Sequence, residues 1–297
     1  MIVILTALDV EYTAVRAHLT GRSKHWSGKG TLFEVGELTS RPGREVAIAK
    51  LGQGTINAGV LTERAIDEFR PDALLFVGVA GALRDWLNLG DVVVANRVYG
   101  YHGGKSEDGG FRTRPRAWDI PHRIEQAVHQ VSLSDDWCAG LTADGGVPAV
   151  HSAPIAAGDV VLNSRTSEYA ERLRETYNDA IAVEMEGAGF ALAGHINDNA
   201  QLAVVRAISD RADGKKESVD GEGWQATAAR NAAAYAAALC AALEERGGRR
   251  RGRRPGPDSG PPPLGGPVVQ GNAQVGEVAT FSTGSRTINM GGRGGNS

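Results

Sequence analysis

The chain has 297 residues, 41% of them hydrophobic and 23% charged, with a formal net charge of -3 at pH 7. That length and apolar content suit one large α/β domain, or two small ones, with a sizeable core. The near-neutral balance excludes a chain built as a whole to meet nucleic acid or acidic partners. Cys138 and Cys240 are the only cysteines and no C-x-x-C exists, so a reduced, cytoplasmic protein without a disulfide framework is expected. No signal peptide is expected, because Asp9 and Glu11 interrupt the apolar start. The longest apolar run, Ala73 to Leu83, is too short to span a bilayer, so no membrane association is expected.

In chain order, Met1 to Thr6 is a fully apolar run that reads as a buried strand. Asp9 is then expected to cap a helix whose apolar positions include Val15 and Leu19, with Glu11 in its first turn. Thr31 to Leu38 and Glu45 to Lys50 read as strands joined through Arg41-Pro42-Gly43. Gly52-Gln53-Gly54 opens a helix to about Phe69, and Pro71-Asp72 breaks it. Leu74 to Val79 is a buried strand ending in Ala80-Gly81-Ala82, and Asp91 to Tyr101 is a long one. It feeds a polar loop, His102 to Arg116, carrying Lys105, Arg112, Arg114 and Arg116. A helix over Pro121 to Val131, strands at Val147 to Ile155 and Val160 to Leu162, and a helix over Thr166 to Tyr177 follow. After a strand from Ala180 comes Gln201 to Ser209, the last buried strand, and an Ala-rich helix from Trp224 to about Glu245. Alternating strands and helices predict an α/β fold: a mixed, twisted central sheet with helices on both faces.

Composition then changes. Residues 1–246 read as the folded domain. Residues 247–267, rich in Arg, Pro and Gly, read as a disordered linker, and 268–297 as a Gly-rich, β-prone tail. The Arg run lacks interleaved aromatics, so non-specific contact with nucleic acid is the most it predicts.

The chain is organised around Val183-Glu184-Met185-Glu186-Gly187-Ala188-Gly189. On a strand Glu184 and Glu186 would point one way and Met185 the other. Two carboxylates in an apolar setting carry a desolvation cost unless they meet partners or do chemistry, although a helix N-terminus would also welcome them. In open α/β sheets ligands bind beyond the carboxyl ends of strands. Four such ends are unusual here: Asp9/Glu11, Val79-Ala80-Gly81, Glu184/Glu186 and Ser209-Asp210. Gly52-Gln53-Gly54 fails the dinucleotide fingerprint because Asn57 stands where a third glycine is needed, leaving a tight turn or an anion cradle. The histidines show no metal-ligand spacing. Glu11, Glu186 and Asp210 together would supply a base, a stabiliser of a cationic sugar and a proton donor, a set suited to breaking a bond at a sugar carbon.

Ala182 to Ala188 together with Val205-Arg206-Ala207-Ile208-Ser209-Asp210 resembles the nucleoside phosphorylase superfamily, and within it the methylthioadenosine/S-adenosylhomocysteine nucleosidases. Leu5 to Glu11, Gly52-Gln53-Gly54 with Asn57, Val77 to Gly81, Gly90 to Val94 and Ala157-Gly158-Asp159 support the match. The resemblance implies that Asp210 protonates purine N7, with Ser209 holding its loop. It implies that Glu186 binds the ribose hydroxyls, Met185 packs on the ribose, Glu11 activates water and Arg206 supports the anionic cluster. Gly52, Gly54, Val79, Gly81, Val161 and Leu162 complete the implied substrate-binding set. Two positions depart from the family: Val79 replaces a serine near the nucleophile, and Val161 replaces an aromatic that stacks on the purine. The basic His102–Arg116 loop, with Arg211, Lys215 and Lys216, points either to a phosphorylated 5′ end, where those enzymes are apolar, or to a loop that is simply solvated. The pattern is also similar to nucleosidase domains of bacterial defence proteins.

The expected function is hydrolysis of the N-glycosidic bond of an adenine nucleoside, thionucleoside or nucleotide, by a homodimer with neither metal nor organic cofactor. The alternatives are a phosphorylase that uses phosphate in place of water, and a non-catalytic nucleotide-binding module.

Overall fold

Strand β1 (Ile2–Thr6) shows how the sheet is built. All five residues are buried, but Ile2 and Ile4 enter one apolar cluster while Val3 and Leu5 enter another. A period of two sends alternate side chains to opposite faces, and a strand apolar throughout needs cover on both. The computed structural model describes residues 1–141, 147–197, 201–213 and 223–244.

After β1 come α1 (Asp9–Arg16), β2 (Leu19–Trp26), β3 (Leu32–Leu38), β4 (Glu45–Lys50), α2 (Thr55–Phe69) and β5 (Ala73–Ala82). Then follow β6 (Val92–Gly100), β7 (Gly104–Glu107), β8 (Gly110–Thr113), β9 (Arg116–Asp119), α3 (His122–Val131) and β10 (Val150–Ala157). The described residues close with α4 (Glu168–Thr176), β11 (Ala182–Glu184), α5 (Gly187–Ile196), β12 (Leu202–Asp210) and α6 (Trp224–Ala242). Ten of these strands form one mixed sheet in the order β11-β10-β6-β12-β5-β1-β4-β3-β2, with β9 paired to β6. Strand β11 runs parallel to β10 and also pairs antiparallel with the end of β5, Ala182 opposite Ala82. The path β5-β12-β6-β10-β11 thus closes on itself, while β1 to β4 extend from it as an open arm. The mixed α/β architecture with helices on both faces is the one expected.

One face is covered by α1, α3 and α6, the other by α2 and α5. Helix α6 lays Ala228, Ala232 and Ala236 on the sheet, a stripe of small side chains at i, i+4 spacing. Helices α2 and α5 cross so closely that a Cβ on Gly189 would overlap the carbonyl oxygen of Thr55, so that crossing requires glycine. The crossing holds the start of α2 against the turn that follows β11.

Four local expectations are corrected. Helix α1 stops at Arg16, and Leu19 opens β2, opposite Leu38. Most of β2 is exposed and polar, so no alternation marks it in the sequence. Asp9 is the first helical residue, and Leu8 holds the cap position. Val160 to Leu162 form no strand, because the Val160 amide turns back to the Gly158 carbonyl at 2.8 Å. The polar stretch from His102 contains a hairpin, β7–β8, and then β9 on β6.

The expected linker at 247–267, the tail at 268–297, Lys215 and Lys216 lie outside the described residues. Among the described residues no helix is long and apolar enough to cross a membrane.

Candidate active site

Strands β1, β5 and β12 are adjacent and parallel, so their carboxyl ends share one edge. Side chains from beyond those ends and from the β11–α5 turn line one cavity: Glu11, Val79, Gly81, Met185, Glu186, Ser209 and Asp210, with Gln53, Val161 and Leu162 at its other walls.

Glu11 is buried on the first turn of α1. Its Oε2 accepts the amides of Ala7 and Leu8 at 2.8 and 2.9 Å, and its Oε1 accepts the amide of Val79 at 2.9 Å. The two amides before the helix are orphan donors, and the carboxylate satisfies them. The third bond uses the backbone of Val79, so the missing hydroxyl there leaves Glu11 anchored. Burial pushes the Glu11 pKa up, against the opposing pull of Arg206 and these three amides.

The two glutamates of the β11 turn part company. Glu184 Oε1 and Oε2 accept the Gly187 amide at 2.8 and 3.0 Å, and Oε2 also accepts the Glu186 amide at 3.1 Å. Glu184 is therefore the carboxylate at the N-terminus of α5, and it pairs directly with Arg206. Glu186 stands at the cap position with its side chain turned to the cavity, where Oε1 accepts the Gly54 amide at 3.1 Å. Burial, then the neighbouring Glu184 charge, push its pKa up to about 7, outweighing Arg206 and Gly54. Both glutamates reach Arg206, but strand β11 ends at Glu184, so it is the turn into α5, and not strand alternation, that brings Glu186 there. Met185, expected on the opposite side, lines the same cavity because the chain leaves the extended conformation at Glu186.

Arg206 is fully buried in β12. Its Nη2 contacts Glu184 and lies 3.6 Å from Glu186 Oε2, and its Nη1 lies 4.0 Å from Glu11 Oε1. The guanidinium sits 4.2 Å from the Phe76 ring centroid. Desolvation opposes its charge, yet the three carboxylates together raise its pKa. Gly78 makes this approach possible, since a Cβ there would overlap Arg206 Nη1 and the Glu11 carboxyl.

Strand β12 bulges before its end: Ile208 pairs with Ala80, yet Asp210 pairs with Gly81. The extra residue, Ser209, breaks the alternation and re-aims the Asp210 side chain. Ser209 Oγ donates to Asp210 Oδ2 at 3.1 Å, and the Ala212 amide donates to Oδ1 at 2.9 Å. Asp210, expected just past the strand, is its last residue.

Gly52 and Gly54 have φ of +79° and +100°, a turn that glycine permits. Gly54 touches the cluster through Glu186, whereas Gly52 is not among the residues lining the cavity. Val161 lines the cavity but is 55% exposed, at its rim. Sequence reasoning gave no role to Asp159, which accepts the Thr55 amide at 2.6 Å and so caps α2, nor to Gln53 in the cavity wall. A carboxylate beside a Gly-rich helix start is a local signal only once the two segments are known to meet. Among the described residues no three His, Cys, Asp or Glu side chains are grouped to hold a metal ion.

The model of the phosphorylase superfamily matches residues 1–244. A 5′-methylthioadenosine/S-adenosylhomocysteine nucleosidase of Staphylococcus aureus is 32% identical over 222 residues, which cover 73% of this chain and 89% of the relative. Among solved structures, the nucleosidase of that name from Neisseria meningitidis, in complex with methylthio-immucillin-A, superposes with a TM-score of 0.68 at 26% identity. The match covers 82% of this chain and 99% of that one. Futalosine hydrolase of Helicobacter pylori shares the fold, with a TM-score of 0.65 at 23% identity over 82% of this chain and 97% of that one. With its family model spanning 1–244 and a nucleosidase relative at 32% identity, the chain is an enzyme of the phosphorylase superfamily.

Proposed function

We propose that the enzyme hydrolyses the N-glycosidic bond of an adenine nucleoside or 5′-thionucleoside. The observation that carries this reading is the convergence of Glu11, Glu186 and Asp210, from three separate elements, on one cavity. Glu11 takes a proton from water as the water oxygen bonds to C1′. The C1′–N9 bond breaks and its electron pair passes to the base, which Asp210 protonates at N7. Glu186 binds the ribose hydroxyls and offsets the positive charge that develops on the sugar. Arg206 Nη1, fully buried 4.0 Å from Glu11 Oε1, keeps a positive charge beside the carboxylate that takes the proton. Water is favoured over phosphate because no Lys or Arg among the described residues lines the cavity, while the Glu11 carboxylate does. The nucleosidase relatives support the same chemistry.

The test incubates methylthioadenosine, S-adenosylhomocysteine, adenosine, inosine, AMP and ATP with and without phosphate, and separates the sugar products. Free adenine with an unphosphorylated sugar is the expected result, and Asp210→Asn lowers kcat/KM about 10²–10⁴-fold. A sugar 1-phosphate as the only sugar product, or unchanged turnover in Asp210→Asn, would overturn it.

A further inference from the structure

Part of the positive charge expected to meet a phosphate has partners among the described residues. Lys105 and Arg112 turn to Glu107 on their own hairpin, and Arg211 donates to the Asp85 carbonyl. A different set of cations faces open space. Arg84, Arg165 and Arg174 line a cavity of about 510 Å³ with Trp86, and among the described residues Asp85 is its one carboxylate.

Arg84 and Arg165 are held in place, and all three arginines keep donors in hand. Arg84 is anchored through the Asn178 carbonyl. Arg165 is fixed at both ends, Nε to the Arg211 carbonyl and Nη1 to Asp85, while its buried Nη2 has no partner among the described residues. Arg174, in the last turn of α4, is half-buried and makes no hydrogen bond or ion pair among the described residues. A buried N–H without an acceptor costs free energy, and guanidinium groups that converge on a cavity repel one another unless an anion joins them. Three arginines lining one cavity give it a positive wall suited to an oxyanion.

The cavity adjoins the candidate active site. Leu162 lines both cavities, and Ala212, which lines this one, donates its amide to Asp210. In the proposed reaction Asp210 meets the base, so this is the base side of the reaction pocket. We propose that Arg84, Arg165 and Arg174 form an anion subsite there, which takes a phosphate or carboxylate group as a free oxyanion or as a substituent of the base. Its placement at the base side rests on the proposed reaction; the subsite itself does not.

The experiment titrates inorganic phosphate calorimetrically into the full chain and into Arg174→Met, which keeps the aliphatic stem and loses the charge. The arginine run at 249–254 is common to both, so its non-specific attraction for anions cancels. Phosphate binding that weakens about tenfold or more in Arg174→Met identifies a free oxyanion as an occupant. A second arm compares adenine bearing a carboxymethyl group on its exocyclic amine with adenine methylated there. A preference for the carboxymethyl base that Arg174→Met abolishes identifies an anion carried by the base. Arg84→Met repeats both arms on a different element, with thermal melts to confirm folding. If neither probe separates either variant from the wild type, the subsite is overturned. The phosphate arm reads no turnover, so failure of the hydrolase reading alone leaves its outcome intact.

Discussion

Arg206 lies fully buried among Glu184, Glu186 and Glu11, whereas Lys105 and Arg112 share Glu107 on an exposed hairpin. Both regions match cations to carboxylates within 4 Å, but water treats them differently. On the hairpin, solvent and salt screen each pair, and the side chains are free to find other partners. Around Arg206 no such exchange is open. The carboxylates are held by backbone amides from five residues, Ala7, Leu8, Val79, Glu186 and Gly187, and a sixth, Gly54, binds Glu186. Charge that cannot relax is charge that can be aimed, and the cavity holds it at the edge where three parallel strands end.

The sharpest way to break this contrast is to remove the buried cation. Arg206→Met leaves three buried carboxylates without their counter-charge and is expected to cost about 3–5 kcal/mol, read as a fall in the urea midpoint. Glu11 and Glu186 already have raised pKa values, so protonation relieves part of that loss and the deficit shrinks as pH falls. A deficit below about 1 kcal/mol at pH 8 would show that the cluster is not held together by Arg206.

How much of this is legible in the sequence depends on which residues are asked. The α/β alternation is visible because buried strands such as β1 and β5 are apolar throughout and are separated by helical periods. The turn Val183 to Gly189 and the Ser209-Asp210 strand end stand out because carboxylates abut apolar runs. What stays hidden is long-range. Nothing near Gly78 announces that Glu11 and Arg206 will press on it, whereas the basic His102–Arg116 stretch carries its own Glu107, which a local hairpin sets beside Lys105 and Arg112. The split between Glu184 and Glu186 also depends on Gly54, 132 residues away from Glu186 in sequence. Strand β2 escapes notice for the opposite reason, since an exposed edge strand needs no apolar alternation.

The next test sharpens the comparison by titration. Glu186, pushed up to about 7, is charged above that pH and neutral below it. If its charge supports a cationic transition state, kcat/KM falls as pH drops through about 7, roughly tenfold per unit. Stability runs the other way. The folded-state pKa exceeds the ordinary value, so the folded protein holds the proton more tightly than the unfolded chain between about pH 4.5 and 7, and protonation favours folding there. The wild type should therefore gain thermal stability over Glu186→Gln as pH falls from 8 to 5, while it loses activity. An acid limb near 4.5, or a melting difference that does not vary with pH, would place Glu186 outside this role.

The smallest effect is expected where the charge looks most abundant. Lys105→Ala and Arg112→Ala each remove one member of an exposed cluster in which Glu107 keeps solvent and, in the single variants, the other cation. Each should move the melting temperature by no more than about 2 °C and turnover of methylthioadenosine by less than about twofold. The double variant separates two roles for the hairpin. If it serves only as a solvated surface, AMP and methylthioadenosine change in step. A selective loss of AMP turnover would mean that these cations leave Glu107 to meet a phosphate, and the exposed pairs would then be a reserve of charge, available to substrate in a way that Arg206, locked among three carboxylates, is not.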